Sequence, residues 1–330
     1  MFRNRGYIYQ KYLRGLIKDN DEMIFQTCPI CKSNYIETFT TTWDRHYGFF
    51  DKIYNVDICK NCSLLFLNPM IQNEELHSMY DEDTYYSYQA FNLNQTDKFG
   101  YLKPILRFFR GLLFGYYSKD PIFDKEKGKR FLDIGCGSGS TLYDMKQKGW
   151  VVSGVEIGKI GTKIGNEFEL NIFNGTLLEA NFKPNYFDYI RINHTFEHLT
   201  NPVETMSEIN RICKKRGKIF IGVPNVNSLP FLLFKKYWYY IGVPFHPYNY
   251  NVENLSLLLR KNSFKILNIR FVGSWLGIVG SIQILLNSKS REVSSEGNFN
   301  NIVTRVLFQQ LARLLNLFRM GDCIEIIAQK

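Results

Sequence analysis

The sequence has no apolar run that reads as a membrane span. Its most apolar stretch, residues 271–286, is short and interrupted by glycines, serines and Gln283. No N-terminal apolar run resembles a signal peptide, so a cytoplasmic location is expected, with peripheral contact at the inner face of the membrane left open. There is no disulfide-style cysteine framework either. Four of the seven cysteines fall in Cys-x-x-Cys pairs, a usage that suits a reducing compartment. Internal repeats are absent. Histidine is scarce: the five are His46, His77, His194, His198 and His246. Acid is missing from the start, where Arg3, Arg5, Lys11, Arg14 and Lys18 precede the first carboxylate. What the chain does have is 45% hydrophobic and 16% aromatic residues, enough for a sizeable core. Its formal charge of +10 favours anionic partners such as phosphorylated substrates, anionic lipid or nucleic acid.

Residues 1–23 read as a basic amphipathic segment, 24–75 as a metal-binding module, 76–128 as a helical linker and 129–330 as an α/β domain. In the module, Cys28-Pro29-Ile30-Cys31 and Cys59-Lys60-Asn61-Cys62 form two knuckles that can present four thiolates to one tetrahedral ion. Zinc is expected, and iron in a similar four-thiolate cage is the alternative. With every ligand a thiolate no position stays open, so the ion is structural. The 27 residues between the pairs must loop out or form a small sheet from strand-like runs at 35–42 and 53–58. The aromatic, basic run 103–117 suits a bridging helix or a membrane surface.

From Arg130 the pattern alternates. Strand-like runs at 131–134, 151–155, 171–173, 187–192 and 218–223 are separated by helix patterns from Ser140, at 158–168 and at 202–212. A helix at 252–261 and strands at 264–272 and 323–328 follow. This predicts a doubly wound, seven-stranded, mostly parallel sheet of Rossmann-like type. Insertions at 225–250 and 274–320 are placed as substrate lids. The second contains an amphipathic helix, 302–318, with Arg305, Arg313 and Arg319 on its polar side.

The first strand runs into Asp133-Ile134-Gly135-Cys136-Gly137-Ser138-Gly139. A strand, glycine turn and helix start let a ligand lie against bare backbone. The glycines alternate and so lack the Gly-x-Gly-x-x-Gly spacing of a dinucleotide fingerprint. Asp133 would repel a pyrophosphate but suits a ligand carrying an ammonium group, as S-adenosylmethionine does. Glu156, 23 residues after Asp133, ends the next strand, where a carboxylate can accept both hydroxyls of a ribose; Ile157 adjoins it. Gly175, Thr176 and Leu177 follow the third strand and are placed by an adenine. Asn193 and His194 follow the fourth, with Phe196-Glu197-His198 just beyond.

These motifs, with Phe187-Asp188, His194-Thr195-Phe196-Glu197-His198-Leu199, Asn201-Pro202, Val223-Pro224-Asn225 and the closing Gly321-Asp322-Cys323-Ile324-Glu325, resemble the class I S-adenosylmethionine-dependent methyltransferases. The resemblance is to the bacterial branch with an N-terminal four-cysteine zinc module, where the second knuckle runs into an apolar strand and Asn-Pro, as in Cys62-Ser63-Leu64-Leu65-Phe66-Leu67-Asn68-Pro69. One departure is Cys213-Lys214-Lys215-Arg216-Gly217, where the family more often has a proline and two glycines. The resemblance implies S-adenosylmethionine as cofactor, held at Asp133, Gly135, Cys136, Gly137, Gly139, Glu156, Ile157, Gly175, Thr176, Leu177, Asn193 and His194. It also implies a sugar or glycoconjugate acceptor, nucleotide-linked or lipid-linked, methylated on oxygen or carbon. A base is then needed, and His246, His198 and His194 are the candidates. His246 ranks first because the resembling sugar methyltransferases have a histidine at about this place beside the acceptor. Tyr248, Tyr85 and Tyr86 are secondary acceptor-pocket candidates. The alternative is an RNA methyltransferase that docks nucleic acid on its zinc module. Against it, the knuckles carry few basic residues, and Asn193-His194-Thr195-Phe196 stands where base N-methylation would need Asn/Asp-Pro-Pro-Tyr.

Overall fold

Two cysteine-anchored turns open the described chain. In the computed structural model, residues 24–45, 52–72, 76, 128–288 and 301–330 are described. Strands β1 (Ile36–Thr42) and β2 (Tyr54–Cys59) pair antiparallel, so the segment between the cysteine pairs folds as a small sheet. β3 (Leu65–Leu67) lies on the other side of β2. It is three residues long, and all three side chains are buried. Burial at roughly 1.5–3 kcal/mol per side chain outweighs ladder bonds of about 1 kcal/mol, so packing rather than pairing holds it.

The large sheet follows. Its strands are β4 (Arg130–Ile134), β5 (Val151–Glu156), β6 (Ile172–Asn174), β7 (Phe187–Asn193) and β8 (Cys213–Pro224). They are joined through helices α1 (Ser140–Gln147), α2 (Lys159–Glu167) and α3 (Pro202–Ile212). Then come α4 (Leu229–Phe234), β9 (Tyr248–Asn249), α5 (Val252–Lys261), β10 (Lys265–Val272), α6 (Trp275–Leu286), α7 (Ile302–Leu317) and β11 (Cys323–Gln329). The order across the sheet is β10-β11-β8-β7-β4-β5-β6, with β11 antiparallel to both neighbours. The expected seven-stranded, mostly parallel α/β sheet is therefore present. Central strands such as β8 read as near-continuous apolar runs because both faces are covered. One face packs Phe131, Tyr189 and Phe220 against Leu142, Met145 and Trp150. The other packs Leu132, Ile190 and Ile192 into a core that continues without a break into Tyr54, Val56, Leu65 and Phe66.

That shared core means the cysteine module is not a separate body. β9 of the α/β domain pairs with β3, completing a four-stranded sheet. At the N-terminus of α5, Asn251 and Asn254 cap each other through side chain and backbone. Their Nδ2 groups also donate to the Cys62 carbonyl at 3.2 Å each. Lys261, at the other end of α5, donates to the Ile30 carbonyl at 2.8 Å. The unusual turn at Cys213–Gly217 alters only the approach to the sheet: Arg216 takes φ 65 and donates its N–H to the Lys330 carbonyl.

The amphipathic helix expected at 302–318 is α7, with Arg313 and Arg319 exposed and Arg305 over the Trp275 ring at 5.0 Å. Ile302, Val303, Leu307, Leu314, Leu317 and Phe318 are exposed as well. Only Gln309, Ala312 and Leu315 of α7 are buried, chiefly against α6. No helix among the described residues is long and apolar enough to cross a membrane. The basic segment 1–23, nearly all of the 76–128 linker, His46, His77, Tyr85 and Tyr86 lie outside the described residues.

The loop between α7 and β11 buries Asp322 at 2% exposure, where its carboxylate accepts from Trp238 Nε1 at 2.9 Å and Ser228 Oγ at 3.2 Å. Burial raises its pKa from 3.8 to about 6, with the two hydrogen bonds opposing. The folded state therefore holds this proton more tightly than the unfolded chain, so the carboxyl favours folding below its unfolded value and loses that contribution as pH rises through 6. Asp322→Asn is expected to raise stability at pH 7 by up to about 3 kcal/mol. At acid pH the gain should vanish, as read by thermal denaturation across pH.

Candidate functional site

The turn after β4 takes positive φ at Gly135, Gly137 and Gly139. At Gly135 a side chain is excluded twice over, because a Cβ would also fall 2.2 Å from Thr195 Oγ1. The loop after β7 thus packs directly on the glycine loop. Glu156, at the carboxyl end of β5, fastens the same turn. Its Oε2 accepts from the Gly137 N–H and its Oε1 from the Gly158 N–H, each at 2.8 Å. A carboxylate oxygen can accept more than one hydrogen bond. Asn174 Nδ2 donates to the carbonyls of Glu156 and Ile157, both at 3.0 Å, holding the strand end in place.

Asp133 is placed differently from the sequence expectation. It is 1% exposed and faces Arg191, its register partner on β7, whose Nη1 lies 3.0 and 3.2 Å from the two carboxylate oxygens. Its charge is balanced inside the protein, so it shapes the loop rather than offering a bare carboxylate to an ammonium group. Cys136 packs its sulfur toward Gly154, where a Cβ would come within 2.6 Å. Burial, with Asp133 and Glu156 adding to it, pushes that thiol well up. Leu177 is core at 4% exposure, whereas Thr176 closes on Glu179 and Gly175 donates its N–H to the Glu156 carbonyl at 3.0 Å. Phe173, half-exposed beside Gly175, is an aromatic face at this edge that the sequence pattern concealed inside a strand.

The histidines gather beyond β7. Asn193 lies against Gly222 of β8, where a Cβ would meet its Oδ1 at 2.1 Å. His194 adopts φ 52, a left-handed conformation uncommon outside glycine, and its N–H donates to the Gly222 carbonyl. Its side chain is 48% exposed, and Nδ1 stands 3.4 Å from Oε1 of Glu197, itself 1% exposed. His198 and His246 come together from distant segments, their rings 4.6 Å apart and at 82°. Nδ1 of His198 faces the Phe245 carbonyl and Nδ1 of His246 the Tyr240 carbonyl, both at 2.8 Å. Burial pushes His198 down to about 4, with the Phe245 carbonyl opposing and His194 adding to the shift. Tyr248 is core, its hydroxyl raised by burial, and not part of this cluster's surface. Glu197, not singled out as a site residue from sequence, is the group that links the three histidines.

The four cysteines also converge. The Sγ atoms of Cys28, Cys31, Cys59 and Cys62 all lie within 4.8 Å of one another, with Cys28–Cys62 at 3.7 Å and Cys31–Cys59 at 3.5 Å. A tetrahedral zinc with bonds of about 2.3 Å sets its sulfurs roughly 3.8 Å apart, so the cluster fits that ion. The knuckles are built alike: Lys32 and Ser63 take left-handed φ and donate their N–H groups to the carbonyls of Cys28 and Cys59.

Residues 109–269 match a family model described as a methyltransferase domain. That segment holds the glycine loop, Glu156 and the histidine cluster, and leaves the four cysteines outside. The chain is 27% identical over 114 residues to a ubiquinone biosynthesis O-methyltransferase of Pseudomonas aeruginosa, covering 32% of this chain and 48% of that protein. To the one from Aeromonas salmonicida it is 30% identical over 113 residues, with the same coverage. The chain thus spans about half the length of the curated relatives it matches. Among solved structures, a SAM dependent methyltransferase from Archaeoglobus fulgidus aligns at 24% identity and TM-score 0.43, over 70% of this chain and 93% of that one.

Arg191→Leu would remove the guanidinium that faces the buried Asp133 carboxylate. It is expected to cost about 3–5 kcal/mol in chemical denaturation, part of which returns when Asp133→Asn is added.

Proposed function

We propose that the protein transfers a methyl group from S-adenosylmethionine to a hydroxyl of a sugar or glycoconjugate. The observation that carries this reading is the Glu156 carboxylate, fixed by two backbone amides beside a three-glycine turn at the carboxyl edge of a parallel sheet. The methyltransferase-domain match over the same segment supports it. When bound, the cofactor supplies an already activated methyl group, so the protein's work is alignment, exclusion of water and proton removal. Glu156 accepts from the ribose hydroxyls. The left-handed glycine turn brings backbone, rather than side chains, against the cofactor.

His194 is the base this geometry favours. The Glu197 carboxylate on its Nδ1 holds the proton there and leaves the Nε2 lone pair for an acceptor hydroxyl, and the ring is exposed at the crevice. His198, at about 4, is too weak a base at neutral pH. His246, ranked first from sequence, is turned by the Tyr240 carbonyl and stands behind His194 in this role.

The sugar acceptor, nucleotide-linked or lipid-linked, rests on the sequence resemblance and the basic charge of the chain. The exposed apolar stripe of α7 with Arg313 and Arg319 nearby supports contact with a lipid surface and so favours the lipid-linked form. Zinc is the structural ion of the four thiolates.

Calorimetry tests the reading: one S-adenosylmethionine is expected per chain, and Glu156→Ala should weaken binding by about tenfold or more. His194→Ala should keep cofactor binding and lose about 10²–10⁴ in kcat. Absence of binding by the wild-type protein sinks the proposal. Mass spectrometry of nucleotide-sugars and glycolipids, with and without active protein, would reveal the acceptor as a pool shifted by one methyl group. Elemental analysis is expected to find zinc held by the cysteines. Cys31→Ser should release it and lower the unfolding temperature, because the thiolate cage is shared with the domain core.

A further inference from the structure

We propose that Glu197, His198 and His246 form a second metal site, a seat of two imidazoles and one carboxylate for a divalent first-row transition ion. One ligand atom from each of the three lies within 4.8 Å of the others. That is close to the separations of about 3–4 Å that a single ion imposes on such ligands.

The orientation of the rings supports the assignment. A carbonyl oxygen can only accept, so Nδ1 of His198, on Phe245, and Nδ1 of His246, on Tyr240, both carry protons. The lone pair of each ring is therefore on Nε2. Donation of the second ring N–H to a backbone carbonyl is how metal-binding histidines are set. His246 is also sterically held: a Cβ at Gly242 would stand 2.5 Å from its Nδ1. Glu197 supplies the independent observation. It is 1% exposed, and its Oε2 meets neither solvent nor a hydrogen-bond partner. A buried carboxylate oxygen in that condition calls for a ligand. The cluster sets two imidazoles beside a buried carboxylate oxygen without a hydrogen-bond partner, and what complements that negative charge is a cation.

Two imidazoles favour Fe²⁺, Ni²⁺, Cu²⁺ or Zn²⁺ over Mg²⁺ and Ca²⁺, and the carboxylate also suits Mn²⁺. Three protein ligands leave positions open, unlike the closed four-thiolate cage. The ion's role toward an acceptor rests on the methyl-transfer reading. An acceptor hydroxyl bound to it would lose its proton to His194 more readily. The oxygen then forms a bond to the methyl carbon, the carbon–sulfur bond breaks, S-adenosylhomocysteine departs, and His194 passes the proton to water.

The test uses the full chain and Mn²⁺ as the probe, since manganese is a poor partner for the thiolate cage. Titration into the millimolar range, with free Mn²⁺ counted by electron paramagnetic resonance, is expected to show one saturable site per chain. Loss of even an outer partner of a metal costs about 10–100-fold in affinity, so Glu197→Gln and His246→Ala should each weaken the site by about 100-fold. No saturable Mn²⁺ site, or equal affinity in both variants, overturns the proposal. S-adenosylmethionine calorimetry on the same samples reports folding, and should Glu197→Gln fail to fold, His246→Ala, a partly exposed position, decides the matter. Wild-type protein that binds Mn²⁺ but not S-adenosylmethionine would refute the methyl-transfer reading and leave the metal site standing.

Discussion

The grip of α5 on the two cysteine knuckles is the interaction on which the rest depends. The capping pair at the start of the helix would be satisfied without help, since Asn251 and Asn254 already close on each other. Their remaining amide protons go to one carbonyl, that of Cys62, and Lys261 reaches the other knuckle at Ile30. One rigid helix thus spans both halves of the thiolate cage. With Cys62 fixed, β3 is aimed so that Leu65 and Phe66 pair with Asn249 and Tyr248, and the Leu67 N–H meets the Pro247 carbonyl at 2.9 Å. His246 is the next residue. A cysteine cluster more than a hundred residues away in sequence therefore sets the frame of a histidine in the crevice.

This arrangement divides the labour between the two sides of the crevice. The parallel sheet offers backbone: glycine amides, strand ends and the amide-held Glu156. The opposite wall comes from the segment between α4 and α5, which the cysteine sheet clamps. His198 and His246 meet across that boundary, one from the loop after β7 and one from the clamped segment. At the joint His194 is left-handed and its N–H is tied to β8. Its neighbour Thr195, wedged against Gly135, holds the backbone of this loop in place.

Much of this was legible in the chain. The period of the apolar runs and the glycine turns carried the seven-stranded, mostly parallel sheet, because buried parallel strands and short connections leave few other solutions. The cysteine spacing carried the cage. Three features were not legible, each for a physical reason. The pairing of Asp133 with Arg191 is a cross-strand contact between segments 58 residues apart, and an isolated Arg in a strand gives no sign of its partner. The apolar stripe of α7 has the right period for a buried helix, and periodicity cannot say whether a partner surface exists to cover it. The placement of Glu197 between three histidines depends on the clamped loop folding back, which only the β3–β9 pairing brings about.

The buried carboxylates show why the crevice, and not some other part of the core, is where chemistry belongs. Burying a charge is costly unless donors or a counter-charge surround it. Asp133 has a guanidinium across both oxygens. Glu156 has two backbone amides. Asp322 has an indole N–H and a hydroxyl, and where these fall short it shifts its pKa upward instead. In each case the protein supplies donors from its own atoms. Glu197 is the exception: one oxygen leans on His194 at 3.4 Å, and the other is the one carboxylate oxygen among the described residues that is buried without a hydrogen-bond partner. Selection for stability alone would favour a glutamine or an apolar side chain there. A carboxylate kept incomplete at the carboxyl edge of the sheet, beside two imidazoles whose lone pairs are fixed by backbone carbonyls, is explained by something that binds.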